Sequence, residues 1–249
     1  MGSIRNHIAA FCDPVQMIRA IPRYWRFWCD YRRFKKLQSG KPKLKCKHTL
    51  PKIHEKSTQH GIDGHYLYQY HWGFSRIQSN KPSLHTDIGS QLNFVVGLTT
   101  MIPEVQFLEY RSLDIQIPNL KIVIGDILKL PFKDNSIESL STFHVIEHIG
   151  LGRYGDPVMP DGHIKALEEL QRVLAPEGNL YITVPVGQPR IEFNAHRVFH
   201  PEDMIHILKN LELTEFSIIK DGYVPEYFAE ASAYETQKLA LGLYHFTKK

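Results

Sequence analysis

From Leu84 to the C-terminus, short apolar runs alternate with amphipathic stretches, and this alternation is the tightest constraint on the fold. The runs Leu84–Ile88, Val105–Tyr110, Leu120–Ile124, Ser139–Phe143, Asn179–Val184, Leu213–Lys220 and Ala240–Thr247 read as strands. Between them, Asp161 is placed to cap a helix whose apolar stripe is Ile164, Leu167, Leu170, Val173 and Leu174, stopped by Pro176 and Gly178. His200-Pro201-Glu202-Asp203 opens another, with proline at the first helical position and acids in the first turn. The pattern predicts an α/β domain with a seven-stranded, mostly parallel, doubly wound sheet. Such sheets bind ligands at the carboxyl ends of their strands, beside the point where the strand order reverses.

Those strand ends carry suitable chemistry. His85-Thr86-Asp87-Ile88-Gly89-Ser90 follows the first strand, and its glycine lets backbone approach a ligand ahead of a helix start. Glu109 ends the second strand, where a carboxylate can accept both hydroxyl protons of a ribose. Gly125-Asp126 ends the third, where an acid can receive an exocyclic amine or backbone N–H groups. Each alone also suits a turn or a helix cap; three at successive strand ends point to a nucleotide-like ligand.

The stretches GDILKLPFKDNSIESLSTFHVIEHIG (125–150) and LEELQRVLAPEGNLYITVP (167–185) resemble class I S-adenosylmethionine-dependent methyltransferases, a Rossmann-like fold. More narrowly, DIGS, FNAHR and GLGRYGDP resemble a branch known only as a domain of unknown function, over roughly residues 65–249. The resemblance implies S-adenosylmethionine as cofactor. Asp87, Gly89 and Ser90 would lie at its methionine end, Glu109 at the ribose, Asp126 and Ile127 at the adenine, with His144 also touching it. The sequence departs from the family loop at Gln91 and Asn93, which replace its second and third glycines.

A hydroxyl acceptor needs a general base, and histidine suits neutral pH. His148, after the fourth strand, and His196 in FNAHR are the candidates. Glu147 either orients a histidine or caps the next turn. The Gly/Pro-rich loop 150–162 contributes Arg153, Tyr154 and Asp156, and with Arg190, Asn194 and Arg197 these form the expected acceptor side. This set suits a sugar or a glycolipid or polysaccharide precursor. His144-Val145-Ile146-Glu147-His148 also matches the inverted zinc-protease motif, but that motif needs a helix, and a strand before it with Gly150 and Gly152 after it leaves none; no metal is expected.

Charge divides the chain. Residues 1–50 hold 12 Lys/Arg against 2 Asp, whereas the remainder carries a net charge of −6. This sets a basic, helical N-terminal extension (1–50) against the α/β domain (51–249). Two short helices are expected in the extension, one before Pro22 and one over Arg23–Leu37, then an exposed linker at 39–48. Tyr24, Phe27, Trp28, Tyr31 and Phe34 share an arc of about 120°. Such a segment suits an anionic membrane surface, packing on the domain or on a second copy of the chain, or, least well, nucleic acid. Cys12, Cys29 and Cys46 are too far apart for a CxxC site, which favours reduced thiols and a cytoplasmic protein, peripheral at the membrane where the extension binds one. No run reaches the ~18 apolar residues of a membrane span.

Overall fold

The computed structural model describes residues 14–38, 45–46, 49–53, 63–220, 223–234 and 236–249. Cys12 and most of the expected 39–48 linker lie outside the described residues. The chain divides into two compact units, Met1–Gly61 and Ile62–Lys249, later in the sequence than the composition shift at residue 50.

In the first unit, α1 (Pro14–Leu37) is one continuous helix with Pro22 inside it, where two helices were expected. Proline's φ is compatible with a helix, and its cost is a lost hydrogen bond and a ring clash. The flanking residues, free of glycine, carry the helix through. Pro14 sits at the first helical position, where a missing N–H costs nothing. Among the described residues, no helix is long and apolar enough to cross a membrane.

The second unit is a sheet covered on both faces. It opens with α2 (Gly64–Ser79), which the sequence reading did not anticipate. Then come β1 (Leu84–Ile88), α3 (Leu92–Leu98), β2 (Glu104–Glu109), β3 (Leu120–Ile124), β4 (Ile137–Phe143), α4 (Gly162–Val173) and β5 (Leu174–Val186). A hairpin of β6 (Arg190–Glu192) and β7 (His196–Val198) leads to α5 (Asp203–Ile207), β8 (Leu211–Lys220), β9 (Val224–Glu226) and β10 (Ala240–Lys248). The sheet order is β3-β2-β1-β4-β5-β10-β8-β9. Strands β1 to β5 pair in parallel, while β10 is antiparallel to both of its neighbours. The chain leaves β1 toward β2 and returns on its other side at β4, so the order reverses beside β1.

All seven expected strands are present, and the short edge strand β9 makes an eighth. Three local expectations need correction. Leu174 opens β5 instead of ending α4, and α5 begins at Asp203, two residues after Pro201. Asp161 precedes α4 but makes no capping bond; its carboxylate pairs with Lys165 at 3.2 Å.

Alternating side chains fill two cores. Leu140, Leu180, Ile182, Val184 and Phe216 pack with Leu167 and Leu170 of α4, whereas Phe107, Phe143 and Tyr181 pack with Trp72, Ile77 and Phe94 of α2 and α3. A buried polar clamp fixes α2 to β8. Arg76 Nε and Nη2 donate to the two oxygens of Glu215 at 2.6 and 3.0 Å, and Trp72 Nε1 and Ser217 Oγ donate to Oε1 at 3.0 and 2.5 Å. Burial pushes the Glu215 carboxyl up, but the bonds from Arg76, Ser217 and Trp72 outweigh it and hold the group below its ordinary range.

Glu215→Gln removes the charge facing Arg76 and should cost about 3 kcal/mol in urea denaturation at neutral pH. Because the folded-state pKa is depressed, the contribution is complete above the ordinary glutamate value and vanishes as pH falls through the lower folded one. Wild type and variant should therefore converge in acid; a constant difference would exclude this account.

Candidate active site

The floor of the site is a buried polar chain. Asp87, fully buried near the end of β1, accepts the Ser90 N–H at 3.1 Å, the Ser90 hydroxyl at 2.8 Å and the Ser141 hydroxyl of β4. Ser141 donates to the carboxylate and so accepts from His85 Nε2 at 2.9 Å, and His85 Nδ1 then accepts from Ser139 Oγ at 2.7 Å. Burial lowers His85 to about 3 and keeps it neutral. Burial also raises Asp87 to about 6, against the lowering effect of its serine bonds. Asp87 does not line the cleft above; it shapes the loop that does.

That cleft has a volume of about 850 Å³ and lies at the carboxyl ends of β1 to β4. Gly89, Ser90, Glu109, Asp126, Ile127 and His144, all expected on the cofactor side, line it. Gly89 has φ +69, which strains any other residue, and a Cβ there would press on Val145 at 3.3 Å, so glycine is favoured on both counts. Gln91, which replaces a family glycine, precedes α3 with extended backbone, and its Oε1 accepts the Tyr70 hydroxyl at 2.7 Å. Burial pushes that hydroxyl up to about 12. One oxygen of Glu109 accepts the Arg111 N–H at 3.2 Å; the other makes no hydrogen bond among the described residues. Asp126 closes a turn by accepting the Leu128 N–H at 2.9 Å. A carboxylate with an oxygen free of hydrogen bonds among the described residues and a glycine turn suit a nucleoside-bearing cofactor.

Two histidines and a glutamate follow the fourth strand. His144 has φ +56 and its Nδ1 lies 2.7 Å from Glu147 Oε1, while Ile146–His148 form a single 3-10 turn. The inverted zinc motif therefore lacks its helix. His144 Nε2 and Glu147 Oε2 are buried without hydrogen-bond partners among the described residues. His148 Nδ1 donates to the Ala195 carbonyl at 2.7 Å, leaving Nε2 as a lone pair 3.8 Å from Glu147 Oε1. Burial, aided by Arg153, lowers His148 below its ordinary value, against Glu147 and the Ala195 carbonyl.

His196, Arg153, Tyr154 and Asp156 also line the cleft. His196 Nε2 faces Glu192 Oε2 at 3.4 Å, and Arg153 donates to Ala195 O at 2.9 Å while lying over the Tyr154 ring. Asp156 is largely spent on its own loop, accepting from the N–H groups of Gly150, Gly152 and Tyr154. Three expected acceptor residues lie outside the cleft lining. Arg190 bonds Glu192 and the carbonyls of Gln188 and Lys238. Asn194 is exposed at the hairpin turn. Arg197 is buried and donates to the carbonyls of Glu147, Ile149 and Pro160 at 3.4, 2.7 and 3.2 Å, fastening both ends of the loop. Conversely, Asp63, His65 and Tyr66 line the cleft but were missed, and the Tyr66 ring lies 5.2 Å from that of His144. Their signal was Tyr66 and Tyr70 at helical spacing, on a helix the sequence reading had not placed.

A family described as "Caenorhabditis protein of unknown function, DUF268" matches residues 95–222, just over half the chain. The chain belongs to this family. It is also 30% identical over 100 residues to an uncharacterised protein of Methanocaldococcus jannaschii, covering 39% of this chain and only 38% of that relative. Among solved structures, the N-methyltransferase NodS of Bradyrhizobium japonicum WM9, bound to S-adenosylhomocysteine, superposes with a TM-score of 0.50 at 14% identity, over 75% of this chain and 88% of that one. The [4+2]-cyclase SpnF superposes with a TM-score of 0.50 at 12% identity, over 71% and 80%. These likenesses establish a class I methyltransferase fold.

Arg197→Ala would leave one buried and two part-buried carbonyl bonds without their charged donor. It should cost about 2–3 kcal/mol and expose loop 149–160 to faster amide exchange. Arg190→Ala, at the rim, should change stability by no more than about 0.5 kcal/mol. Equal protection of the loop in both variants would contradict the clamp assigned to Arg197.

Proposed function

We propose that this protein is an S-adenosylmethionine-dependent methyltransferase that methylates a hydroxyl of a sugar or of a glycolipid or polysaccharide precursor. One observation carries the reading: His148 presents an unprotonated Nε2 to the same cleft in which Gly89, Glu109 and Asp126 occupy the ends of three successive strands. Gly89 and Ser90 would hold the methionine end, Glu109 the ribose hydroxyls, and Asp126 with Ile127 the adenine. When bound, the cofactor supplies an activated methyl group on a sulfonium for in-line displacement. His148 Nε2 takes the proton of the acceptor hydroxyl as its oxygen gains the new bond to carbon. Glu147 offsets the positive charge that then forms on the ring. His196, braced by Glu192, stands on the acceptor side with Arg153 and Tyr154. Because Arg190 and Arg197 are engaged by other groups of the protein, the acceptor side is less cationic than the sequence suggests, which favours a hydroxylated over a highly phosphorylated acceptor.

A second reading, a non-catalytic binding or scaffold protein on the same fold, is favoured by Gln91 and Asn93 in place of two loop glycines. Nucleic acid as substrate is supported less, since residues 51–249 are net acidic.

Calorimetry with S-adenosylmethionine and S-adenosylhomocysteine should show binding that Glu109→Ala weakens roughly 10- to 100-fold. With labelled cofactor and fractionated glycan or glycolipid acceptors, His148→Gln should leave binding intact and lower turnover ~10²- to 10⁴-fold. The wild-type rate should climb with pH on an acidic limb whose midpoint lies below the ordinary histidine value, because burial depresses the base. No cofactor binding by the intact chain would sink the cofactor assignment; binding without transfer to any fraction would leave the scaffold reading.

A further inference from the structure

The exposed apolar stripe of α1 is offset from the arc its aromatic pattern suggested and shares Trp28 with it. Tyr24, Phe27 and Tyr31 of the expected aromatic arc are half-buried and Ala20 is buried, whereas Trp28 and Phe34 are exposed. Beside this arc runs an exposed stripe: Ile18 at 69%, Ile21 at 68%, Trp25 at 69% and Trp28 at 37%. At ~100° per residue these four fall within an arc of about 80°. Arg32 and Lys36 continue the same line in the following turns, and Arg26 and Arg33 flank it; all four cations are exposed. The helix carries seven Lys/Arg against one acid, Asp30.

We propose that α1 is an interfacial anchor that lies on an anionic lipid surface, with Ile18, Ile21, Trp25 and Trp28 entering the headgroup–acyl boundary. Four large apolar side chains in one narrow stripe are too many for scattered surface residues and call for an apolar partner. Tryptophan suits the boundary between headgroups and acyl chains, where its ring is solvated on one side and apolar on the other. Charge decides among the possible partners. A second copy of α1 would set seven cations against seven, which like-charge repulsion opposes. An anionic bilayer offers apolar depth and negative charge together, and each nearby cation strengthens the attachment about fivefold. The anchor is independent of the methyl-transfer reading and would serve any chemistry performed on a lipid-linked acceptor.

The test uses the full chain with phosphatidylcholine vesicles, with and without about a third phosphatidylserine. The protein should float with the anionic vesicles and much less with neutral ones. Trp25→Ala/Trp28→Ala should reduce partitioning more than tenfold, and Arg32→Gln/Arg33→Gln about 25-fold, with wild-type binding weakening as salt rises. Brominated acyl chains should quench Trp25 and Trp28 but not Trp72, which is fully buried. Both double variants alter exposed positions, so their circular dichroism and their S-adenosylmethionine affinity should match wild type, separating failure of the anchor from failure of the cofactor site. Absence of flotation would overturn the proposal, as would flotation undiminished in the tryptophan variant. So would a concentration-dependent dimer, or an RNA complex, lost in that variant while vesicles are ignored.

Discussion

A carboxylate without access to water sits beneath the cleft, and the geometry above depends on how it is satisfied. Asp87 cannot be ionised in a dry core unless donors surround it, and the sheet supplies them from two directions. Ser141 comes from β4, across the strand pairing that sets Asp87 beside Ser141, and Ser90 comes from the loop that leaves β1. The same Ser90 hydroxyl accepts the Phe143 N–H at 2.9 Å, so the end of β4 is fixed by the bond network that fixes the loop. The turn holding Gly89 and the turn beginning at His144 are thus positioned by one ion, which places the expected cofactor side and the expected base in one frame. His85 extends the chain behind Ser141, and its neutral ring directs the Ser141 hydroxyl toward the carboxylate.

What could be read from the sequence follows from what each signal is made of. Seven strands were legible because a strand covered on both faces must be apolar at nearly every position, as Leu180–Val186 shows. The acids at strand ends were legible because topology alone carries Glu109 and Asp126 to one rim. Helix α2 was not legible. Its buried residues Gln69, Trp72, Gly73 and Ile77 do follow a helical period, but tyrosines and histidines interrupt it, and its clearest support is tertiary. Arg76 and Trp72 belong on α2 because Glu215 waits for them on β8, 139 residues on from Arg76. Arginine was misread for a related reason. Composition marks Arg190 and Arg197 as cations for an outside anion, whereas carbonyls at 147–160 recruit Arg197, and Glu192 with the carbonyls of Gln188 and Lys238 recruits Arg190.

The histidines after β4 show how burial divides two similar residues. His144 and His148 flank the same Glu147, yet they have different work. The carboxylate engages His144 at hydrogen-bond distance, and the ring nitrogen on its far side is buried. His148 instead spends its proton on a backbone carbonyl from the β6–β7 hairpin and keeps its second nitrogen open. That hairpin also supplies His196 and the Arg197 clamp, so a small element absent from the expected strand list sets both the tautomer of one histidine and the place of another.

The departure at Gln91 has a structural counterpart in α2. A glycine at that position would leave the loop to be held by Asp87 and Ser90 alone. Glutamine adds a side chain that reaches Tyr70, and Tyr70 stacks at 5.5 Å on Phe94 of α3, the helix that starts from this loop. Two residues further along α2, Trp72 donates to Glu215, and Arg76 follows one turn later. One helix therefore ties the first strand's loop to a strand on the far side of the sheet. A loop with fewer glycines has fewer conformations to lose, so the substitution exchanges backbone freedom for a side-chain tether. Tyr66, one turn before Tyr70, brings the same helix to the edge of the cleft beside His144.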